Sequence, residues 1–287
     1  MASLVLAMAT RIPWSSTLTI ELSSQQWGGV AALSAATCWA LATVLFKGLG
    51  RRIPPLQLNL LKGIIASTLI VLVLLLGGSS ESSCSLESVA YLALSGVIGI
   101  AIGDSAYFAA LSHIGARKTL ITESTAPPIT AFIAFFFLGE ALSFRACMGI
   151  ALTVLGVLWV VAERAPKSQA QPDDSAVLLK GFALALLAAF CQATGAVLSR
   201  AGLLSSSISP LWSALLRLLA AVLALSIWIF LLKRVRLRDF LSLLDSSLAR
   251  RLLFSVFVGT FLAIWLQQIS FKLNNAGVAQ TLLATSP

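Results

Sequence analysis

The stretch GDSAYFAALSHIGARKTLITESTAPPITAFIAFFFLGE, residues 103–140, decides how the chain folds. Its hydropathy predicts the end of one membrane helix, a short polar turn and a second helix. Asp104, Tyr107 and Glu123 interrupt the apolar residues, and Pro127 is expected to break the second helix. Charged groups and broken backbone are costly in hydrocarbon. The stretch therefore predicts a polar interior or a path for a solute.

The composition as a whole also indicates lipid surroundings. Of the 287 residues, 58% are hydrophobic and 11% are charged, and the mean hydropathy is +0.95. Soluble domains carry about 25% charged residues, so we expect a multi-pass integral protein of the cytoplasmic (inner) membrane. The net charge of +9 comes from basic residues in short loops, without a basic stripe interleaved with aromatic residues. This pattern argues against nucleic-acid binding.

Metal, cofactor and catalytic chemistry are not indicated. The chain has one histidine, His113, and neither a P-loop nor a dense acidic motif, so we do not expect an enzyme. The cysteines form no CxxC pair and no zinc spacing, which favours buried apolar packing over disulfides or a metal site. They are Cys38, Cys84, Cys147 and Cys191.

Hydropathy predicts an all-α protein with eight full membrane helices and part of a ninth. A crossing needs about 20 apolar residues to cover roughly 30 Å. The predicted helices are 27–46, 56–76, 89–111, 119–138, 144–161, 178–198, 210–232 and 252–273, with a partial ninth at 276–287. Residues 1–26 are predicted to form a flexible tail, and residues 163–177 a polar linker.

Residues before the linker recur after it, in the same order. The matched pairs are Cys38 and Cys191, Lys47 and Arg200, Pro55 and Pro210, Lys62 and Arg217, and Pro127 and Pro287, at separations that rise from 153 to 160 residues. They predict a duplicated unit, residues 27–162 and 178–287. Five helices per unit is an odd number, so we expect two inverted repeats in a ten-helix architecture, with a site between them. The second repeat is expected to be truncated.

The basic residues predict the orientation. The loops after the first, third, fifth and seventh predicted helices carry fourteen Lys and Arg residues, and the other membrane face carries four. Because positive loops stay in the cytoplasm, we expect the N-terminus outside.

Four segments resemble a known family. They are TCWALATVLFKGL (37–49), GDSAYFAALSHIGARKTLI (103–121), PPITAFIAFFFLGEALS (127–143) and GVAQTLLATSP (277–287). Together with two five-helix halves, they are similar to the EamA-type transporters of the drug/metabolite transporter superfamily. The resemblance implies a ten-helix solute carrier that works without ATP hydrolysis and moves small metabolites, amino acids or drugs.

Four ionisable residues fall inside predicted helices: Lys62, Asp104, Glu123 and Arg217. The two cations could snorkel to an interface, and Glu123 could simply favour the positive end of a helix dipole. Asp104 is too short to snorkel from a depth of about 12 Å. It must be protonated, paired or in contact with water. Lys62 lies at a matching depth and is its predicted partner.

The second repeat keeps the cation but not the acids. Arg217 matches Lys62, whereas the positions that match Asp104 and Glu123 fall near Thr260 and Leu283. We hypothesise that Arg217 meets an anionic group of the substrate, such as a carboxylate. Asp104 or Glu123 would then couple transport to a proton.

Weaker candidates lie in the same helices. Trp39 and Tyr107 could stack on a substrate or pack against neighbouring helices. Gln192 and Gln267 could hydrogen-bond a solute or hold helices together. Pro127, and its match Pro287, are candidate helix breaks that free backbone groups inside the bundle.

These observations predict a secondary transporter of small metabolites that works by alternating access, in a bilayer and with proton coupling. The alternative is a truncated, non-transporting membrane protein or a membrane sensor. The sequence leaves open whether the protein forms a homodimer.

Overall fold

The computed structural model describes residues 23–49, 53–77, 84–163, 175–231 and 246–285, and every regular element in these ranges is helical. The all-α prediction is thus confirmed for this part of the chain. The helices are α1 (Ser24–Leu49), α2 (Pro55–Gly77), α3 (Leu86–Ser95), α4 (Ser105–Glu123), α5 (Ala126–Leu138), α6 (Phe144–Glu163), α7 (Ser175–Leu204), α8 (Pro210–Leu231), α9 (Ser246–Val256), α10 (Ala263–Leu273) and α11 (Ala276–Leu283). Two π-helical segments, π1 (Gly96–Asp104) and π2 (Phe257–Leu262), join α3 to α4 and α9 to α10.

Six helical runs are long and apolar enough to cross a membrane, and two shorter apolar helices, α5 and α6, accompany them. The eight predicted crossings are represented by these eight helices. The partial ninth helix is α11, at Ala276–Leu283. Pro287, most of the predicted tail and most of the linker lie outside the described residues, although α1 begins at Ser24 and α7 at Ser175.

The turn predicted between the third and fourth helices is present at Gly115, where φ is +75° and two helices meet at a kink. The third crossing begins at Leu86, three residues before its predicted start, and the residues of α4 after Gly115 begin the fourth crossing. Glycine tolerates this left-handed backbone. The predicted break before α5 is present, but it lies at Ser124 and Thr125, directly before the prolines rather than at them. Prolines fit the first turn of a helix because their missing N–H would have no partner there.

Successive crossings run in alternate directions, so helix ends gather at two faces. We call the face at which α1 begins the amino-terminal face. Five helices begin there, α1, α3, α6, α8 and α11, and each of the first four is preceded by a serine whose hydroxyl accepts a hydrogen bond from the first helical turn. At α1 the bond is reciprocal, because Gln26 accepts from the Ser23 N–H in return.

Small residues allow close packing where π1 meets α7 and α8. A Cβ atom added at Gly96 would collide with the backbone of Arg217, and one at Gly99 would lie 3.5 Å from the Cα of Gly195. Gly149 and Gly156 on α6 differ, because no described atom lies within 4 Å of a Cβ built at either position. The close contact at Gly96 fixes α8, and with it the Arg217 side chain, against π1.

Two apolar clusters fill the bundle. The larger lies among α2, π1, α8 and the α9–α10 run and includes Leu58, Ile70 and Leu218. The smaller joins α1, α3, α7, α10 and α11 around Leu92 and Phe271. Both clusters combine helices from before and after the linker, so the two halves share these apolar clusters.

Candidate functional site

Lys62 and Asp104 form an ion pair between α2 and the last residue of π1. The pairing predicted from their matching depth is therefore present. Their side chains are 9% and 18% exposed. Gln192, on α7, donates to the second oxygen of the same carboxylate at 3.0 Å. The carboxylate thus joins three helices, and its charge is balanced.

Asn59 supports this arrangement and was missed at the sequence level. It lies on α2, one turn before Lys62, and its amide nitrogen donates to the Ile100 carbonyl at 2.9 Å and to the Ser105 hydroxyl at 3.0 Å. The side chain is fully buried, and its Oδ1 has no hydrogen-bond partner among the described residues. The only sequence feature that could have indicated a role for Asn59 was its amide side chain within an apolar helix.

Arg217 lies on α8 and is 2% exposed. Its Nη1 donates to Gln267 on α10 at 3.2 Å, while its Nε has no acceptor within the described ranges. No described carboxylate lies within the 4.0 Å that defines an ion pair with it. A Cβ built at Gly99 would lie 3.6 Å from Nη2, so the guanidinium rests against π1. Within the described part of the chain, this buried cation has no neutralising contact.

Glu123 ends α4, beside the break that precedes α5. Its Oε1 is buried and has no hydrogen-bond partner in the part of the chain that the structure describes. The charge of Asp104 acts on both Glu123 and Arg217. The charges of Glu123 and Asp104 also act on Tyr107, whose ring contacts Phe108 edge to face at 5.8 Å.

The structure thus brings seven predicted residues into one region. We call this set the central polar cluster: Lys62, Asp104, Tyr107, Glu123, Gln192, Arg217 and Gln267. Trp39 is held elsewhere, since its indole nitrogen donates to the Gly259 carbonyl of π2 at 3.0 Å. Pro127 is buried in the first turn of α5, close in sequence to Glu123.

Two further polar groups were not predicted as functional. Ser199, Ser213 and Gln268 form a fully buried hydrogen-bond network among α7, α8 and α10. Glu140 and Arg200 form a second ion pair at the amino-terminal face. Neither group has a sequence signal beyond single polar residues near helix ends or in apolar helices.

The chain matches one protein-family model and is similar to a solved structure. The model of the EamA-like transporter family matches residues 26–162 and 179–287. A crystal structure of another protein aligns with a TM-score of 0.68 over 90% of this chain and 84% of that chain. At 16% identity this likeness shows a shared fold and no more. No curated protein sequence matches the chain. Since the two matched segments cover most of its length, the chain belongs to the EamA-like transporter family, a multi-pass membrane transporter family of the drug/metabolite transporter superfamily.

Proposed function

We propose that the protein is a secondary carrier that moves small organic metabolites, such as amino acids, related solutes or drugs, by alternating access between inverted repeats. The burial of the Arg217 side chain is the main observation that supports this proposal. A guanidinium that is 2% exposed and has no carboxylate partner among the described residues is costly to bury. Such a group is useful where a charged solute supplies the missing partner.

The proposed solute carries an anionic group that binds Arg217. The guanidinium presents several N–H donors in one plane, and a carboxylate can accept two of them at once. Among the described residues, Arg217 Nε has no acceptor and Nη1 donates to the Gln267 amide oxygen. Donors of the guanidinium therefore remain free for such a contact. The adjoining helices α8 and α10 belong to the second matched segment, while π1 belongs to the first.

Asp104 and Glu123 are the proposed proton carriers. The Asp104 carboxylate is shared by Lys62 and Gln192, so protonation would remove the charge that pairs with Lys62 and weaken the hydrogen bond from Gln192. Glu123 has a buried oxygen without a partner and lies beside the broken backbone before α5. Either acid can link the arrival of a proton to a rearrangement of α2, α4 or α7.

Flux through the purified protein in liposomes tests the function. We expect saturable uptake of a carboxylated solute and little uptake of its neutral amide analogue. Arg217→Gln should lower this flux about tenfold or more, because it removes a charge-assisted contact. Arg251→Gln is the matched control, since Arg251 is an exposed arginine, and should leave flux unchanged. Equal flux in the parent protein and Arg217→Gln would contradict the assignment of Arg217.

The second candidate is a non-transporting membrane protein or sensor. It is favoured by the interhelical hydrogen bonds that tie the cluster together, such as Gln192 to Asp104, because a static tie suits binding without movement. Equilibrium binding measured beside flux separates the two candidates. Saturable binding lost in Arg217→Gln, without flux of any tested solute, would support the sensor.

A further inference from the structure

The amino-terminal face carries an ion pair that the central polar cluster does not use. Arg200 Nε donates to Glu140 Oε1 at 2.9 Å, and the two side chains are 12% and 10% exposed. Glu140 follows Gly139, the residue at the end of α5 whose φ is +66°. Glu140 belongs to the first matched segment and Arg200 to the second. The pair therefore joins the two segments at this face.

Both side chains also hold the turn between α10 and α11. Glu140 Oε2 accepts the Ala276 N–H at 2.8 Å, at the start of α11. Arg200 Nη1 donates to the carbonyls of Phe271 and Lys272, at 2.7 and 2.8 Å, where α10 ends. Helix α11 has no side-chain cap of its own, in contrast to the serine-capped helices at this face. One ion pair thus fixes α5, α7, α10 and α11 together.

Polar side chains lie behind this pair. The hydroxyls of Ser199 and Ser213 donate to Gln268 Oε1 at 2.6 and 2.7 Å, and all three residues are fully buried. Gln268 Nε2 has no acceptor among the described residues, and neither has the Ser270 hydroxyl a partner. Orphan polar atoms cost free energy in a dry interior. They would regain partners if water or solute reached them.

The buried network connects the ion pair to the central polar cluster. Ser199 directly precedes Arg200 on α7, and Ser213 lies one turn before Arg217 on α8. Gln268 directly follows Gln267, the hydrogen-bond partner of Arg217. Polar side chains therefore occur at successive levels of α7, α8 and α10 between the amino-terminal face and the buried cation.

We propose that this series lines the solute path between Arg217 and the amino-terminal face, and that the Glu140–Arg200 pair is the latch that closes it. The proposal rests on the proposed transport function, because only a carrier needs the two segments to separate here. An ion pair that only held the helices together would not explain why the buried Gln268 amide and Ser270 hydroxyl nearby lack partners among the described residues. The structure shows the closed state of the latch.

Thiol labelling tests the latch without knowledge of the solute. Ser199→Cys is introduced in a protein whose four native cysteines are replaced, and a membrane-impermeant methanethiosulfonate is added from each side of sealed vesicles. We expect slow labelling with the latch intact. With Glu140→Gln added, labelling from the amino-terminal face should be about tenfold faster, since loss of a charge-assisted hydrogen bond weakens the closed state by at least that factor. Arg200→Gln should act in the same direction.

Ser88→Ala is the matched control. It removes a 2.5 Å hydrogen bond from the Ser88 hydroxyl to the Gly202 carbonyl at the same face, but it leaves the latch intact. Labelling of Ser199→Cys should stay slow in this variant. Equal labelling rates in Glu140→Gln, Ser88→Ala and the parent protein would overturn the latch.

A second variant keeps the proposal testable if Glu140→Gln does not fold. Leu138 and Ala276 lie in one apolar cluster beside the intact pair. A cross-link between Leu138→Cys and Ala276→Cys should suppress labelling behind the latch until it is reduced, and unchanged labelling would overturn the proposal. Latch-dependent labelling without flux of any solute would instead reject the transport function while retaining the latch. Solute flux with latch-independent labelling would reject only the latch.

Discussion

Lys62 and Arg217 stand at equivalent places in their helices, seven residues after Pro55 and Pro210, yet only Lys62 has a carboxylate partner in the described part of the chain. The first cation is neutralised by Asp104, and the second is left with one amide. Because their partners differ, we expect the two cations to have different roles. One holds helices together, and the other is available for a ligand.

Asp104→Asn should destabilise the protein. The substitution leaves the Lys62 ammonium, whose side chain is 9% exposed, without its carboxylate. Loss of one partner of a buried ion pair costs about 3–5 kcal/mol. Thermal unfolding in detergent should show a clear fall in Tm. The double variant Lys62→Met/Asp104→Asn should regain most of the loss, and a double variant as unstable as the single one would contradict the pairing.

Transport should depend on pH if Asp104 or Glu123 carries a proton. We expect flux in liposomes to respond to an imposed proton gradient in the parent protein. Asp104→Asn and Glu123→Gln each remove one acid, and at least one of them should abolish the response. Because Asp104→Asn should also lower stability, flux is compared at equal amounts of folded protein. Flux without pH dependence, unchanged in Asp104→Asn, would remove the coupling proposal.

Gly96→Ala should be damaging and Gly149→Ala harmless. A methyl group at Gly96 would collide with the backbone of Arg217, which cannot move as a flexible side chain would. Overpacking of this kind costs about 1–3 kcal/mol or more. At Gly149 a methyl group meets nothing among the described residues, and alanine favours the helix by about 1 kcal/mol. Thermal unfolding of both variants provides the comparison, and equal effects would contradict the close contact.

Asn59→Leu should loosen π1. The substitution removes the two hydrogen bonds from the Asn59 amide to Ile100 and Ser105. We expect a loss of about 1–3 kcal/mol, because the Ser105 hydroxyl loses a partner in a buried place. Hydrogen exchange should rise within 96–104 more than in α7. A uniform rise over the whole protein would indicate general destabilisation instead.

Much of the architecture could be predicted from the sequence. Apolar length gave the helical runs, and the prolines marked the start of α5. The Lys62–Asp104 pair could be predicted because two opposite charges at the same depth in hydrocarbon lower the cost of their burial by pairing. The turn between the third and fourth helices could be predicted from the polar residues after Leu111, and the helical backbone is interrupted among them, at Gly115.

Apart from the Lys62–Asp104 pair, the hydrogen-bond partners inside the bundle could not be predicted. Whether Gln267 or Gln268 faces Arg217 depends on the rotation of α10, which hydropathy does not determine. The Glu140–Arg200 pair joins residues 60 positions apart at helix ends, where sequence alone indicates only solvated loop charges. Contacts of this kind depend on how helices pack, and a single sequence carries little information about packing.

The two π-helical segments bear on the ancestry of the fold. Asp104 ends π1, and Thr260, near which its match in the second segment falls, lies within π2, so each matched segment contains a widened turn in its third crossing. A widened turn accommodates more residues per turn than an α-helix. We propose that both turns descend from a single progenitor, because their separate appearance would require two events and inheritance requires one. On this proposal the widened turn is older than the duplication, and the acid at the end of π1 distinguishes one descendant from the other.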